Sequence, residues 1–149
     1  MSGRVRIESR RFGPIDASQS DFLHCDGIPG FPAARRFLLL RHDRDSAFAW
    51  LVCAEDPELA FVVTDPWNFI PDYRPELELR HLRSVEADPG TSVEVLVIVD
   101  VRGGEIRLNL AAPLLVNAER RRAAQVILER GEHPIRCVVA PPAAAAGPA

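Results

Sequence analysis

The side chains that most often bind metals are few in this chain and lie far apart. Two histidines and the three cysteines are the candidate ligands, namely His24, Cys25, Cys53, His133 and Cys137. Only His24 and Cys25 are neighbours, and no two cysteines have the C-x2–4-C spacing that zinc sites use. Cys53 lies inside an apolar run, which is typical of a buried cysteine that acts as a small hydrophobe. The pattern predicts no metal site and no cofactor.

Carboxylates offer one possible pair for acid–base chemistry. Asp65 and Asp72 flank a short loop and would face each other across it. Acidic loops are more often simply solvated, and an aspartate before a proline, such as Asp65 before Pro66, commonly makes a local turn hydrogen bond. The chain also lacks the G-x-S-x-G, GxxxxGK[ST] and GxGxxG motifs, and it has no lysine for a Schiff base. We therefore predict that the protein is not an enzyme.

Residues 56–73, DPELAFVVTDPWNFIPDY, are the stretch around which the chain is organised. Ala60–Thr64 is apolar and β-branched between Pro57 and Pro66, which predicts a short buried strand. Prolines 66 and 71 then predict a stiff, extended segment over 65–73. Large apolar side chains alternate there with acids, a mixture typical of docking surfaces, and this favours Phe69, Asp72 and Tyr73 as contacts with a partner. The alternative is that these rings close the core.

Charge is distributed unevenly along the chain. The net charge is −3, which disfavours nonspecific binding to nucleic acid. Residues 54–78 hold seven acids against one arginine, whereas residues 102–136 hold seven arginines against four acids. The acidic segment therefore suits a basic partner surface. Arg120–Arg122 is the one basic cluster, and without interleaved aromatic residues it is more typical of a solvated turn than of an RNA site.

Cysteine usage and hydropathy bear on the compartment. The three cysteines form no C-x-x-C pair, which favours a reducing environment. No run approaches 18 apolar residues, and the first residues have no apolar signal segment. We expect a cytoplasmic protein with no membrane partner.

Short strands separated by proline and glycine turns are predicted along most of the chain. The segments with strand patterns are Arg4–Phe12, Phe22–His24, Arg35–Arg41, Phe48–Cys53, Ala60–Thr64, Val93–Val101, Ile106–Leu110, Leu114–Val116 and Ile135–Val139. Gly13 and Pro14 are expected to end the first strand, and Pro75–Leu82 is expected to be a short helix. Val93–Val101 is expected to be the most buried strand. Residues 118–130 have the propensity of a helix, capped by Asn117 and ended by Gly131, although Val126 and Ile127 also permit a strand.

These elements predict an all-β fold. About ten short strands with one or two short helices indicate a small antiparallel β-barrel or pseudo-barrel. At 149 residues we expect one domain over residues 1–139. The segment 140–149 is a Pro/Ala-rich tail whose composition predicts disorder.

Several motifs, in this order and spacing, resemble the flagellar assembly factor FliW family. They are Gly27-Ile-Pro-Gly-Phe31, the run from Pro57 to Pro66 with Pro71-Asp-Tyr73, Val95–Val99, Asn109-Leu-Ala-Ala-Pro113 with Asn117, and Gln125–Leu128. The similarity extends over roughly residues 4–137. It implies a small antiparallel β-barrel with a turn at Arg120–Arg122 and a strand at Gln125–Leu128, in place of a helix over 118–130.

The resemblance also implies a function. FliW-like proteins bind newly made flagellin in the cytoplasm and bind the RNA-binding translational regulator CsrA, which they antagonise. We expect contacts with these partners from Phe69, Asp72 and Tyr73, supported by the amides of Asn109 and Asn117. We expect Tyr73→Ala to weaken partner binding without unfolding the domain. A small β-barrel enzyme or ligand-binding protein is the alternative, and a direct RNA-binding module is a third that the charge disfavours.

Overall fold

A computed structural model of the chain describes residues 4–10, 12–18, 21–25, 28, 30–41 and 46–140, and these residues form a structure of short strands. In the described residues there are eleven strands: β1 Arg4–Ser9, β2 Gly13–Ser18, β3 Leu23–Cys25, β4 Arg36–Leu40, β5 Phe48–Cys53, β6 Ala60–Thr64, β7 Glu94–Arg102, β8 Glu105–Leu108, β9 Leu114–Asn117, β10 Arg122–Gln125 and β11 Cys137–Val139. One α-helix, α1 (Leu79–Arg83), and a 3-10 turn at Pro66–Asn68 lie between β6 and β7. The all-β prediction is confirmed. The expected tail, apart from residue 140, lies outside the described residues.

Seven of the strands close into a barrel. Their order is β7-β6-β5-β4-β3-β10-β9, and β9 pairs back onto β7. Closure depends on the length of β7, because one of its edges pairs with β6 while the other pairs first with β9 and then with β8. All pairs in the ring are antiparallel except β10 with β3, which is parallel. The barrel predicted from the sequence is therefore present, with one parallel joint.

Alternate residues along the strands divide between the inside and the outside of this ring. All seven strands contribute to one apolar cluster, in which Phe37, Leu51, Leu96 and Leu114 are almost fully buried. Because seven strands around a ring share this cluster, it fills the barrel interior. Each fully buried Leu or Phe side chain contributes roughly 1.5–3 kcal/mol to folding.

Two further clusters cover the outside of the barrel. One contains Val95, Val97 and Val99 of β7, covered by residues from segments 69–87 and 126–139. The other lies under a separate two-stranded hairpin of β1 and β2, where Ile7 and Ala17 pack against Phe22 and Leu38. The long segment between β6 and β7 is thus part of a core, and its position is fixed by that packing.

The structure corrects several predicted elements. Gly13 and Pro14 do not end the β structure, because they begin β2, which pairs antiparallel with β1. The helix does not include Pro75; it begins after Glu78, whose backbone N–H donates to Nδ1 of His81. β9, with all four residues buried, is more completely buried than β7. β5 and β6 have the predicted bounds, and the other strand ends differ from the predicted ones by at most three residues.

No helix forms over 118–130, so the propensity-based alternative is wrong there. The chain turns at 118–121, with Arg121 at φ 53, and β10 follows as Arg122–Gln125. The strand lies earlier than the predicted Gln125–Leu128. Backbone bonds from Val126 to the Pro113 carbonyl and from Leu128 to the Ala111 carbonyl nevertheless keep the next residues alongside the segment before β9. Sheet pairing overrides local helix propensity at this point.

Candidate functional site

The segment after β6 is held by a 3-10 turn. Asp65 is extended, as expected before a proline, and its Oδ1 accepts a hydrogen bond of 2.9 Å from the Trp67 backbone N–H. Pro66 occupies the first position of the turn, where its missing N–H costs nothing. The turn hydrogen bond predicted for Asp65 is confirmed. The prediction that 65–73 is extended throughout is wrong, because Pro66–Asn68 form a 3-10 turn, Phe69 is helical, and the Tyr73 N–H closes a second turn on the Ile70 carbonyl.

Tyr73 ends this segment and lies inside the apolar cluster that covers β7 on the outside of the barrel. Only 5% of the residue is exposed, and its hydroxyl donates a 2.7 Å hydrogen bond to the Leu110 carbonyl. The ring lies 5.4 Å from the His133 ring, with the planes nearly perpendicular. Burial raises the pKa of the Tyr73 phenol to about 12. Tyr73 is therefore a core residue in this structure, and the expectation that its removal leaves the domain folded does not agree with this burial.

Trp67 packs against Tyr73, and Phe69 packs against Phe48. The Trp67 indole Nε1 donates to the Tyr73 carbonyl at 2.9 Å, and its ring lies 5.7 Å from the Tyr73 ring, yet 38% of the residue is exposed. Phe69 is half-buried and packs 5.8 Å from Phe48. Trp67, which the sequence analysis did not name as a contact, is thus the most exposed of the three aromatic residues in this segment. Its position directly after Pro66, at the start of a turn, was the available signal.

Asp72 lies on the surface, as predicted. It is exposed together with Asp65, Trp67, Asn68 and Pro71, and we call these five residues the loop surface. The loop surface combines two carboxylates with an indole whose orientation is fixed by a hydrogen bond. Such a combination can contact a basic, partly apolar protein surface, because the aromatic anchor loses little freedom on binding.

The two predicted amides have structural roles. Asn117 is fully buried, its Nδ2 donates to the carbonyls of Val85 and Glu86, and its Oδ1 accepts from the Arg120 N–H. Asn109 is half-buried, and its Oδ1 accepts from the Ala112 N–H. Asn117 therefore holds the turn at 85–86 against the end of β9.

The five predicted contact residues are only partly brought together. The bond from Tyr73 to Leu110 joins the segment of Phe69, Asp72 and Tyr73 to the residue after Asn109. Asn117 lies in the interior. Whether any of the five contacts a partner stays a prediction, for which Asp72 is the best exposed of them.

Two of the family-like motifs meet at the other end of β6. Phe31, which is 40% exposed, lies 5.4 Å from Phe61 and lines a shallow pocket of about 260 Å³ with Leu59. Glu55 closes this pocket and accepts hydrogen bonds from the backbone N–H groups of Arg35 and Arg36 and from the Arg36 side chain. Partial burial raises the pKa of Glu55, but these donors outweigh it and lower the pKa to about 2. Glu55 is thus an anionic brace for the start of β4.

Among the described residues, no group of three or more His, Cys, Asp and Glu side chains could hold a metal ion. Nor does any helix in that part of the chain have the length and apolar character needed to span a membrane. The Cys53 thiol is buried, and burial raises its pKa, which makes it a poor nucleophile.

Comparison with known proteins gives a consistent result. The profile of the family described as FliW protein matches residues 6–139. The chain is 39% identical over 135 residues to a flagellar assembly factor FliW of Syntrophus aciditrophicus, covering 89% of this chain and 85% of that protein. It is 34% identical over 136 residues to a flagellar assembly factor FliW of Caldanaerobacter subterraneus subsp. tengcongensis, covering 89% and 91%. A crystal structure of a flagellar assembly factor FliW superposes with a TM-score of 0.84 at 27% identity, covering 90% of this chain and 96% of that one.

Proposed function

The chain belongs to the FliW family, and we propose that it is a non-catalytic flagellar assembly factor of the cytoplasm that binds flagellin and antagonises the translational regulator CsrA. Competition between the two partners would couple flagellin synthesis to flagellin export. The family membership carries this proposal. Its relatives are named as assembly factors, and the exposed acids and indole of the loop surface suit contact with a protein partner.

The loop surface is our proposed contact with CsrA. An RNA-binding regulator presents basic surfaces, and Asp65 and Asp72 are exposed acids within the acidic segment 54–78. Trp67 lies between them in the sequence, and its indole is held by a hydrogen bond to the Tyr73 carbonyl, so the surface is preformed. In this proposal Tyr73 positions the loop, and Asp72 and Trp67 make the contacts.

Isothermal titration of the purified protein tests the partners, with CsrA and with monomeric flagellin of the same organism titrated separately. Micromolar or tighter binding of both, with flagellin displacing CsrA, is the expected result. A folded protein that binds neither would refute the proposed function.

A charge reversal tests the face. Asp72→Arg should weaken CsrA binding by about tenfold or more, since like charges brought together at an interface cost several kcal/mol. Glu105→Arg is the matched control, because Glu105 is an exposed acid beside the Gly103–Gly104 turn and the change in net charge is identical. If the two variants weakened CsrA binding equally, the loop surface would not be the contact site. CsrA would still be a partner of the protein.

A further inference from the structure

A cleft of about 380 Å³ lies between the β1–β2 hairpin and the barrel. Most of the residues that line it are apolar, Leu38 and Leu40 among them, and the charged ones are Asp16, Asp21, Glu94 and Arg121. This volume is within the range of roughly 300–1,000 Å³ found for ligand sites. The cleft is separate from the loop surface, with which it shares no residue.

The wall of the cleft formed by the hairpin is a strand edge. β2 pairs with β1 along one edge only, in a two-stranded sheet, and within the described part of the chain no strand pairs with its other edge. Ile15, Asp16 and Ala17 of β2 line the cleft. An open edge bordering a cleft is the arrangement that accepts an added strand.

The hydrogen bonds identify which backbone groups lie on that edge. The Ser18 N–H donates to Oδ2 of Asp21 and therefore points away from β1. The register between β1 and β2 is regular, with Ser18, Asp16 and Pro14 opposite Arg4, Arg6 and Glu8. Since orientation alternates along a strand, Asp16 also directs its N–H and C=O away from β1. Pro14 agrees with this assignment, because its missing N–H falls on the unpaired edge.

Charge at the cleft indicates what the edge accepts. Three carboxylates, those of Asp16, Asp21 and Glu94, line the cleft. Arg41 pairs with Glu94 at 3.0 Å, and Arg121, which donates to the Asp21 backbone carbonyl, keeps its positive charge. Three negative charges against two positive ones leave the cleft acidic, with Asp16 and Asp21 nearest the edge. The strand on the other edge, with the sequence RVRIES, alternates arginine with apolar residues and places Arg6 opposite Asp16. β2 thus already pairs with a basic, alternating strand.

We propose that the open edge of β2 binds an extended, basic segment of another protein by strand addition. The backbone of the segment pairs with the N–H and C=O of Asp16, its apolar side chains enter the cleft over Leu38 and Leu40, and its arginine or lysine side chains contact Asp16 and Asp21. Pro14 limits the pairing to the Asp16 end, and the carboxylates repel acidic segments.

Nuclear magnetic resonance of the ¹⁵N-labelled full chain tests this, with acetyl-RVRVRV-amide as the probe. We expect shift changes centred on Ile15–Ala17 and slower hydrogen exchange of the Asp16 amide. Two control peptides should bind at least about tenfold more weakly. Acetyl-EVEVEV-amide is acidic and is repelled by Asp16 and Asp21. An RVRVRV peptide N-methylated at alternate residues lacks the backbone N–H groups needed for strand pairing. Equal binding of either peptide would overturn the proposal.

Two variants of the hairpin sharpen the test. Asp16→Arg should weaken RVRVRV binding by roughly tenfold. Glu8→Arg, an exposed acid on the other strand of the same hairpin, should change it by about twofold or less. Circular dichroism would first establish that both variants fold. Shift changes confined to the loop surface would refute binding at the β2 edge. Slow hydrogen exchange of the Asp16 amide without peptide, in a protein that sediments as a dimer, would also refute it, because a second copy of the chain would then cover the edge.

Discussion

The hydroxyl of Tyr73 gives the sharpest test of how the segment after β6 is held. Tyr73→Phe keeps the ring that contacts Trp67 and His133 but removes the 2.7 Å bond to the Leu110 carbonyl. A buried carbonyl left without its donor costs about 1–3 kcal/mol, and the net worth of one such bond is about 1 kcal/mol. We therefore expect the free energy of unfolding to fall by about 1–2 kcal/mol at pH 7. Tyr73→Ala removes the ring as well and should cost about 3–5 kcal/mol.

The same hydroxyl predicts a pH dependence. The pKa of Tyr73 is raised from 10.0 to about 12 in the folded protein, so folding favours the protonated phenol. The stabilisation is complete below pH 10 and is lost as pH rises from about 10 towards 12. A two-unit shift corresponds to roughly 2.7 kcal/mol at most. Because Tyr73→Phe has no phenol to ionise, the stability difference between the wild type and the variant should shrink over this range.

Urea unfolding followed by far-ultraviolet circular dichroism at pH 7, 9 and 10.5 measures both effects. The three cysteines are present in both proteins, so any contribution from them cancels in the difference. A Tyr73→Phe variant as stable as the wild type at pH 7 would refute the hydrogen-bond argument. A stability difference at pH 10.5 equal to that at pH 7 would refute the burial argument.

Three other predictions concern buried or braced groups. Asn117→Ala should lower the free energy of unfolding by about 2–3 kcal/mol. Asn117→Asp should lower it by at least as much, because the carboxylate keeps the acceptor but cannot donate to the carbonyls of Val85 and Glu86. Thermal unfolding of both variants checks this. The stability that Glu55 contributes is present above pH 4.5 and lost as pH falls towards about 2, so acid unfolding of Glu55→Gln should show a shallower slope than that of the wild type. Thiol labelling of the native protein should modify Cys137 before Cys25 and Cys53, which are buried, as peptide mass mapping would show.

The division of roles within residues 65–73 bears on how mutants of this family member are interpreted. Tyr73 is buried and hydrogen-bonded, whereas Asp72 beside it is exposed. Loss of partner binding in a Tyr73 variant would therefore combine a folding effect with any effect on the surface. Asp72 and its control Glu105 separate the two, since neither side chain is buried.

The sequence by itself determined the class of the fold and its central strand. Ala60–Thr64 was predicted with the bounds that the structure has, because prolines on both sides confine a β-branched run. The motifs likewise indicated the FliW family, to which the chain belongs. These features are local, and local sequence is sufficient to specify them.

Tertiary structure decided which side chains are inside. Tyr73 is amphipathic and Asn117 is polar, as surface contacts often are, yet each finds its hydrogen-bond partners in distant segments, at Leu110 and at Val85–Glu86. Residues 118–130 have helix propensity, but the edges of β9 and β3 are available on both sides of β10 and turn Arg122–Gln125 into a strand. Burial and pairing of this kind depend on residues up to a hundred positions away, and no local pattern encodes them.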